Sequence, residues 1–236
     1  MSVDPIPKRC EVESKIDELF GKLDRWRHFP AYQLERRADI FFSLYLPEIL
    51  KLRFGRVPKA IIPEFPVRKG TIDPTSNSNQ PFRIDYLAVM QDPLELIFVE
   101  LKTDPASRND DQDKYLLAAQ EKGMPALLRG LLSIREATSA QGKYDQLLTE
   151  LSDAGLIIRS ADGGFEPNGI LPKPEILYIQ PKSDECDSRV ISFEKVEEIV
   201  ASHTDELSIR FAQSLRKWAE EPAGGKRGVR GNKIRG

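Results

Sequence analysis

Hydrophobic and polar residues along this chain follow two different periods, and the first to appear is helical. Apolar residues recur every three or four positions through 11–54, with a break near Pro30. This spacing predicts two amphipathic helices. Pro47 falls inside the second pattern, and we expect it to end or kink that helix because proline lacks the N–H that a helix interior requires.

Three short apolar runs then predict strands. They lie at 60–67, 82–89 and 97–101, and each has the length and the β-branched or aromatic content of a strand. Prolines in the first run favour an edge position or a bulge. The segment 70–80 is rich in Ser, Asn and Gly and is expected to be a loop.

The second half of the chain alternates helices with one further strand. Residues 110–122 and the segment that continues to Ala137 predict helices, 174–180 predict a strand, and a helix is expected from Phe193 onward. The stretch of about 138–172 lies between these elements as a helical and hairpin insertion.

Two interpretations of that insertion stay open. Residues 143–158 predict a helix that ends near Gly155 and runs into a short strand, and 162–165 have the composition of a hairpin turn. This order resembles the recognition helix and wing of a winged-helix element. The alternative is a plain structural helix and hairpin that lids the site.

Charged side chains converge at the ends of two predicted strands. Glu100 and Lys102 are two residues apart and therefore point to the same face of their strand. The strand before it carries Asp85, and the intervening segment 91–95 has turn composition. One register of the hairpin places Asp85 opposite Lys102 and the other places it opposite Glu100; both put all three side chains on one face.

The combination of Asp85 with Glu100-x-Lys102 resembles the PD-(D/E)xK, or restriction-endonuclease-like, nuclease superfamily. The resemblance implies an α/β fold: an αβββαβ core with a mixed sheet, flanking helices and a helical insertion before the fourth strand. The predicted organisation is an N-terminal helical segment at 1–30, a nuclease-like domain at 31–221 and, because the end of the chain is glycine-rich and basic, a disordered tail at 222–236.

The resemblance also implies roles for these residues. Asp85, Glu100 and the backbone carbonyl of Leu101 would hold Mg²⁺, or Mn²⁺, while Lys102 would position the attacking water and offset developing charge. The family aspartate usually follows a proline, whereas Ile84 stands here. We expect Lys102 to lie beside a polar pocket rather than in the core, so that its truncation changes stability little.

Further side chains are candidates to complete the site. Many members of the superfamily add a glutamate; here Glu35, Glu48 and Glu64 are the alternatives, and Glu35 is favoured as a catalytic residue. Gln112 and Tyr115 resemble a Gln and Tyr that some family exonucleases use to touch phosphate, and they are the predicted substrate-binding residues. A surface glutamine and a core tyrosine are the plainer interpretation of that pair.

Composition narrows the function classes. The 236 residues are 40% hydrophobic and 31% charged, and the two cysteines and two histidines lack zinc-ligand spacing. No apolar run is long enough to cross a bilayer and no signal-like segment opens the sequence, so we expect a cytoplasmic protein without membrane partners. The net charge of −2 gives nucleic acid no general attraction, but the basic tail should attract phosphate. The alternative is a tail that only keeps the protein in solution and has no partner.

The sequence thus predicts a Mg²⁺-dependent nuclease that acts on nucleic acid, DNA rather than RNA, in repair, restriction or phage defence. One alternative is a nuclease-fold protein that binds nucleic acid or a protein partner without cleaving it. Another is a structural adaptor in which the charged residues form only a solvent-screened salt bridge. The oligomeric state stays open, a homodimer included.

Overall fold

The computed structural model of the chain describes residues 14–73, 75–76, 78–104, 110–160 and 163–220. Its helices are α1 Lys15–Trp26, α2 Glu35–Phe54, α3 Lys69–Ile72, α4 Asp110–Lys122, α5 Met124–Ala137, α6 Gln141–Asp153, α7 Phe193–Val200 and α8 Glu206–Glu220. Its strands are β1 Ala60–Arg68, β2 Pro81–Met90, β3 Glu95–Leu101, β4 Ile157–Arg159, β5 Phe165–Pro167, β6 Glu175–Gln180 and β7 Val190–Ser192.

The main sheet has five strands and mixed direction. Its strand order is β1-β2-β3-β6-β7, with antiparallel pairing from β1 to β3 and parallel pairing from β3 to β7. The α/β class, the mixed sheet and the flanking helices are therefore confirmed, as is the edge position of β1. Strand β7 was not predicted, because a strand of three residues leaves almost no periodic signal.

Helices cover both faces of this sheet. Packed on one face are α1, α2, α7 and α8, and packed on the other are α4, α5 and α6. Consequently β3 is buried on both sides, with Ile97, Val99 and Leu101 in one core and Leu96 and Phe98 in the other. A continuous apolar run is typical of a strand in that position.

Of two boundaries predicted from the sequence, the structure contradicts one and does not describe the other. Of the two alternatives predicted for Pro47, an end or a kink of the helix, the end was wrong, since α2 runs through Pro47 to Phe54. Buried neighbours on both sides, Leu46 and Ile49, hold the helix against the sheet and compensate for the lost hydrogen bond. The predicted basic tail at 222–236 lies outside the described residues.

Of the helices in the described part of the chain, none combines the length and apolar character that a membrane span requires.

The hairpin register settles which residue faces Asp85. Tyr86 pairs with Val99, and Met90 with Glu95. Continuing this register by one residue places Asp85 opposite Glu100, which is the second of the two predicted alternatives.

The alternation of faces breaks at one point in β1 and β2. Ile62 and Phe65 of β1 both belong to the core beneath α4, α5 and α6, and so do Ile84 and Leu87 of β2. In a regular strand, residues an odd number of positions apart point to opposite faces. Both strands must therefore depart from regular geometry between these residues.

Glu64 lies at this irregularity and has the backbone conformation that accounts for it. Its φ is +50°, in the left-handed region that residues with a Cβ seldom adopt. The register of β1 and β2 places it opposite Asp85, although the two do not form a ladder pair. The irregular point of the sheet therefore coincides with the acidic residues.

This geometry predicts the effect of two substitutions at Glu64. Both Glu64→Gly and Glu64→Ala remove the carboxylate, but only glycine adopts a positive φ without steric cost. We expect the glycine variant to be more stable than the alanine variant by about 1 kcal/mol, the usual cost of a left-handed residue. Urea denaturation of both variants measures the difference, and an alanine variant as stable as the glycine variant would contradict it.

Candidate active site

The charged residues meet where β3 ends beside β2. Glu100 and Lys102 lie on the face opposite to Val99 and Leu101, which are in the core beneath α2. Asp85 reaches this end of β3 from the neighbouring strand, and its Oδ2 accepts a hydrogen bond of 2.7 Å from the backbone N–H of Leu101. The structure thus brings together Asp85, Glu100 and Lys102, as the sequence predicted.

Lys102 is buried among polar partners. Its Nζ donates to Glu100 Oε1 at 2.8 Å and to Gln112 Oε1 at 2.8 Å, and it lies 3.9 Å from Glu35 Oε1. Gln112 Nε2 in turn donates to Glu100. Lys102 contacts two residues that line the cleft described below, as expected of a position beside a polar pocket, but it is only 2% exposed and is therefore more deeply buried than was expected.

Two tyrosines fix the helices that deliver the remaining partners. The hydroxyl of Tyr86 on β2 donates to the backbone carbonyl of Asp39 on α2 at 2.8 Å. The hydroxyl of Tyr178 on β6 donates to Asp113 on α4 at 3.1 Å. The glutamate at the start of α2 and the glutamine of α4 are therefore held in place against the sheet.

A cleft of about 370 Å³ opens above these residues. It is lined by Glu35, Arg36, Asp39, Glu64, Pro81, Phe82, Arg83, Asp85, Tyr86, Leu101, Gln112 and Tyr115. Of the three glutamates proposed to complete the site, Glu35 and Glu64 line the cleft. Glu48 does not; its carboxylate lies 3.1 Å from His203 Nε2.

Burial and crowding perturb the carboxylates. Burial, with repulsion from Glu100, raises the pKa of Asp85 to about 7. Burial also raises the pKa of Glu35 to about 7, although the Lys102 ammonium opposes that shift. The pKa of Glu100 is raised by burial as well, and Lys102 again opposes the shift.

Burial acts on the pKa of the lysine in the opposite sense. Burial by itself would lower the pKa of Lys102, but attraction to the carboxylates of Glu100 and Glu35 outweighs it and leaves the pKa above the ordinary value. Lys102 is therefore charged at neutral pH, and it balances only part of the negative charge that Asp85, Glu100 and Glu35 can develop around it.

The donor set suits a hard cation. Two carboxylates from adjacent strands, with the backbone of Leu101 at the cleft, supply oxygen ligands, and Mg²⁺ commonly binds through one or two carboxylates while keeping several waters. Within the described residues, no three His, Cys, Asp or Glu side chains are grouped so as to hold a metal ion. A cation here would thus depend on Asp85, Glu100 and the carbonyl of Leu101.

Gln112 and Tyr115, the predicted substrate-binding residues, have different surroundings. Gln112 bridges Glu100 and Lys102, so its hydrogen bonds are internal to the site. Tyr115 is 39% exposed and stacks on Phe82, with ring centroids 5.7 Å apart and an interplanar angle of 26°. Sequence reasoning missed Phe82, because no local pattern shows that β2 and α4 bring the two rings together.

The insertion lies apart from this site. Its helix α6 is followed by the antiparallel hairpin β4-β5, so the predicted helix and hairpin are confirmed. None of the described residues that line the cleft belongs to the insertion, which argues against the idea that it lids the site.

Comparisons of the chain with protein-family models, with curated proteins and with solved structures found no match. A function for this chain is therefore inferred from the geometry of its own site.

The buried pair predicts a non-additive effect on stability. Lys102→Met leaves Glu100 buried without its cation, and loss of one partner from such a pair costs about 3 kcal/mol or more. Adding Glu100→Gln removes the uncompensated charge, so the double variant should recover most of that loss. Denaturation at pH 7 with a chelator present measures the unfolding free energies of wild type, the single variant and the double variant.

Equal destabilisation by Lys102→Met alone and by the double variant would contradict this coupling.

Metal-free stability should also depend on pH through Asp85. A carboxyl whose folded pKa is raised favours folding below its unfolded pKa, near 4, and this contribution is lost as pH rises through about 7. Asp85→Asn cannot ionise. We expect this variant to exceed wild type in stability at pH 8 by on the order of 2 kcal/mol, and to lose the advantage at pH 4.

Unfolding free energies across pH 4–8 in chelator test this, and an Asp85→Asn difference that does not change with pH would contradict it.

Proposed function

We propose that this protein is a metal-dependent nuclease that hydrolyses phosphodiester bonds, with DNA as the favoured substrate. The observation that carries the proposal is the opposition of Asp85 and Glu100 on adjacent strands, with the buried ammonium of Lys102 hydrogen-bonded to Glu100. Two carboxylates held together in this way repel each other, and a protein gains from the arrangement when a cation binds between them.

Each residue has a role in this proposal. Asp85, Glu100 and the carbonyl of Leu101 would hold Mg²⁺ or Mn²⁺, which when bound neutralises phosphate charge and makes water more acidic. Lys102 supports the reaction electrostatically, because a fixed ammonium stabilises negative charge as it develops on phosphate. Glu35, with its pKa near 7, is suited to exchange a proton at neutral pH.

The order of elements supports the same proposal. Helix α2 precedes three antiparallel strands, helices follow, and β6 then joins the sheet in parallel beside β3. We infer that this is the αβββαβ core of the restriction-endonuclease-like fold. In it, α6 and the β4-β5 hairpin form the insertion and β7 is an added edge strand.

One observation favours a second candidate, a nuclease-fold protein that binds without cleaving. The Lys102 ammonium is already engaged by Glu100 and Gln112 and is 2% exposed. A lysine so enclosed reaches a phosphate or a water only if Gln112 moves. A binding protein would have no need of that movement.

Cleavage assays separate the two candidates. We expect wild type to cut at least one of single-stranded DNA, duplex DNA or RNA with Mg²⁺ or Mn²⁺, and Asp85→Asn to be slower by a hundredfold or more. Glu48→Gln makes the same kind of carboxylate-to-amide change outside the cleft and should cut at the wild-type rate.

Cleavage of none of these substrates by wild type would favour the binding protein. Equal loss in Asp85→Asn and Glu48→Gln would indicate damage to the fold and would contradict a catalytic site at Asp85.

A further inference from the structure

The cleft has two chemically different parts. Its floor carries the carboxylates, whereas its wall is aromatic, formed by the stacked rings of Phe82 and Tyr115. Two arginines, Arg36 and Arg83, also line the cleft. The proposed hydrolysis needs neither the aromatic rings nor the arginines, so these side chains are available for another role.

We propose that the cleft takes an unpaired nucleotide, with its base stacked on the aromatic wall of Tyr115 and Phe82 and its flanking phosphates held by Arg36 and Arg83. The inference deepens the proposed function and rests on it. It makes single-stranded nucleic acid, or an unpaired strand end, the preferred substrate over an intact duplex.

The aromatic wall is accessible to such a base. Tyr115 is 39% exposed, and its stacking on Phe82 holds the ring in place. Aromatic rings that face a nucleic-acid channel bind bases through their π-faces without regard to sequence. In a duplex those faces are covered by neighbouring base pairs, so only an unpaired or extruded base can use this wall.

The position of the wall fits a nucleotide close to the reacting phosphate. Phe82 lies three residues before Asp85 on β2, a separation of about 10 Å at the usual rise of a strand. A base on the wall and a phosphate beside Asp85 would therefore belong to the same short stretch of one strand.

The depth of the acidic floor argues against a duplex. Glu100 and Lys102 lie behind the residues that line the cleft and are only 1% and 2% exposed, so a phosphate must enter the cleft to come near them. The cleft's volume of about 370 Å³ is that of a site for a small molecule, roughly 300–1,000 Å³. A single strand can insert one nucleotide into such a space, whereas a paired strand must first unpair.

The charge of the protein also favours a single strand over a duplex. Duplex binding relies on many lysines and arginines that track both backbones, and the net charge of this chain is −2. Arg83 lies 3.5 Å from Glu64, with both side chains more than half exposed. An exposed pair of this kind is weak, so Arg83 can exchange the carboxylate for a phosphate.

Binding assays in chelator test the inference without cleavage. The full-length protein is titrated into fluorescent oligonucleotides of one sequence, as single-stranded DNA, single-stranded RNA and blunt duplex DNA. We expect at least one single strand to bind tenfold or more tightly than the duplex. The DNA and RNA arms identify the sugar that the cleft prefers.

Variants of the aromatic wall then test whether single-strand affinity depends on Tyr115. Tyr115→Ala should weaken single-strand binding about tenfold, and Tyr115→Leu, which keeps packing on Phe82 but lacks a π-system, should weaken it similarly. Tyr115→Phe should bind within about twofold of wild type. Phe29→Ala removes an aromatic ring that is 57% exposed and outside the cleft, so it should have no effect.

Quenching of 2-aminopurine in the single strand reports stacking directly, and we expect it with wild type and Tyr115→Phe but not with Tyr115→Leu. Duplex binding as tight as single-strand binding, or unchanged affinity in both Tyr115→Ala and Tyr115→Leu, would overturn the inference. A protein that binds single strands with this pattern yet never cuts them would overturn the nuclease proposal alone. Rapid duplex cleavage with no effect at Tyr115 would overturn the inference alone.

Discussion

A single buried ammonium sets the charge balance at the end of the central sheet, and the surrounding structure is arranged around it. Lys102 is enclosed by Glu100, Gln112 and Glu35, and a charge so far from water is tolerated only with close partners of opposite sign. Its partners exceed it in negative charge once Asp85 also ionises. Burial, together with repulsion among these carboxylates, raises their pKa values. The excess of negative charge leaves the site able to gain stability from a divalent cation.

Each partner reaches Lys102 because a different element of the fold delivers it. The β2-β3 register brings Asp85 opposite Glu100, and the Tyr86 hydroxyl fixes α2, which supplies Glu35. Helix α4 supplies Gln112. The positive φ of Glu64 falls opposite Asp85, so the irregular backbone of β1 lies beside the carboxylates of the cleft.

The sequence predicted those parts of the fold whose signals are local. Strands with apolar runs and helices such as α4 and α5 follow from hydrophobic periodicity, and Asp85, Glu100 and Lys102 were identified because strand alternation fixes their common face. The hairpin register was narrowed to two choices, since a turn of ambiguous centre allows either.

The features of the site that the sequence did not predict depend on contacts between distant segments. The depth of Lys102 is set by helices α2 and α4 closing over the end of β3, and no pattern around Lys102 shows this closure. The stacking of Phe82 on Tyr115 likewise requires the packing of α4 against β2. Glu48 and Glu35 both flank the apolar stripe of one predicted helix, and only the fold shows that the first lies beside His203 and the second lines the cleft.

The most direct measurement is calorimetric titration of Mn²⁺ and Mg²⁺ into the full-length protein at pH 8, with wild type, Asp85→Asn and Glu48→Gln compared side by side. We expect one ion to bind to wild type and to Glu48→Gln, and at least tenfold weaker binding to Asp85→Asn. Equal binding by all three proteins, or none by any of them, would contradict a metal site built on Asp85 and Glu100.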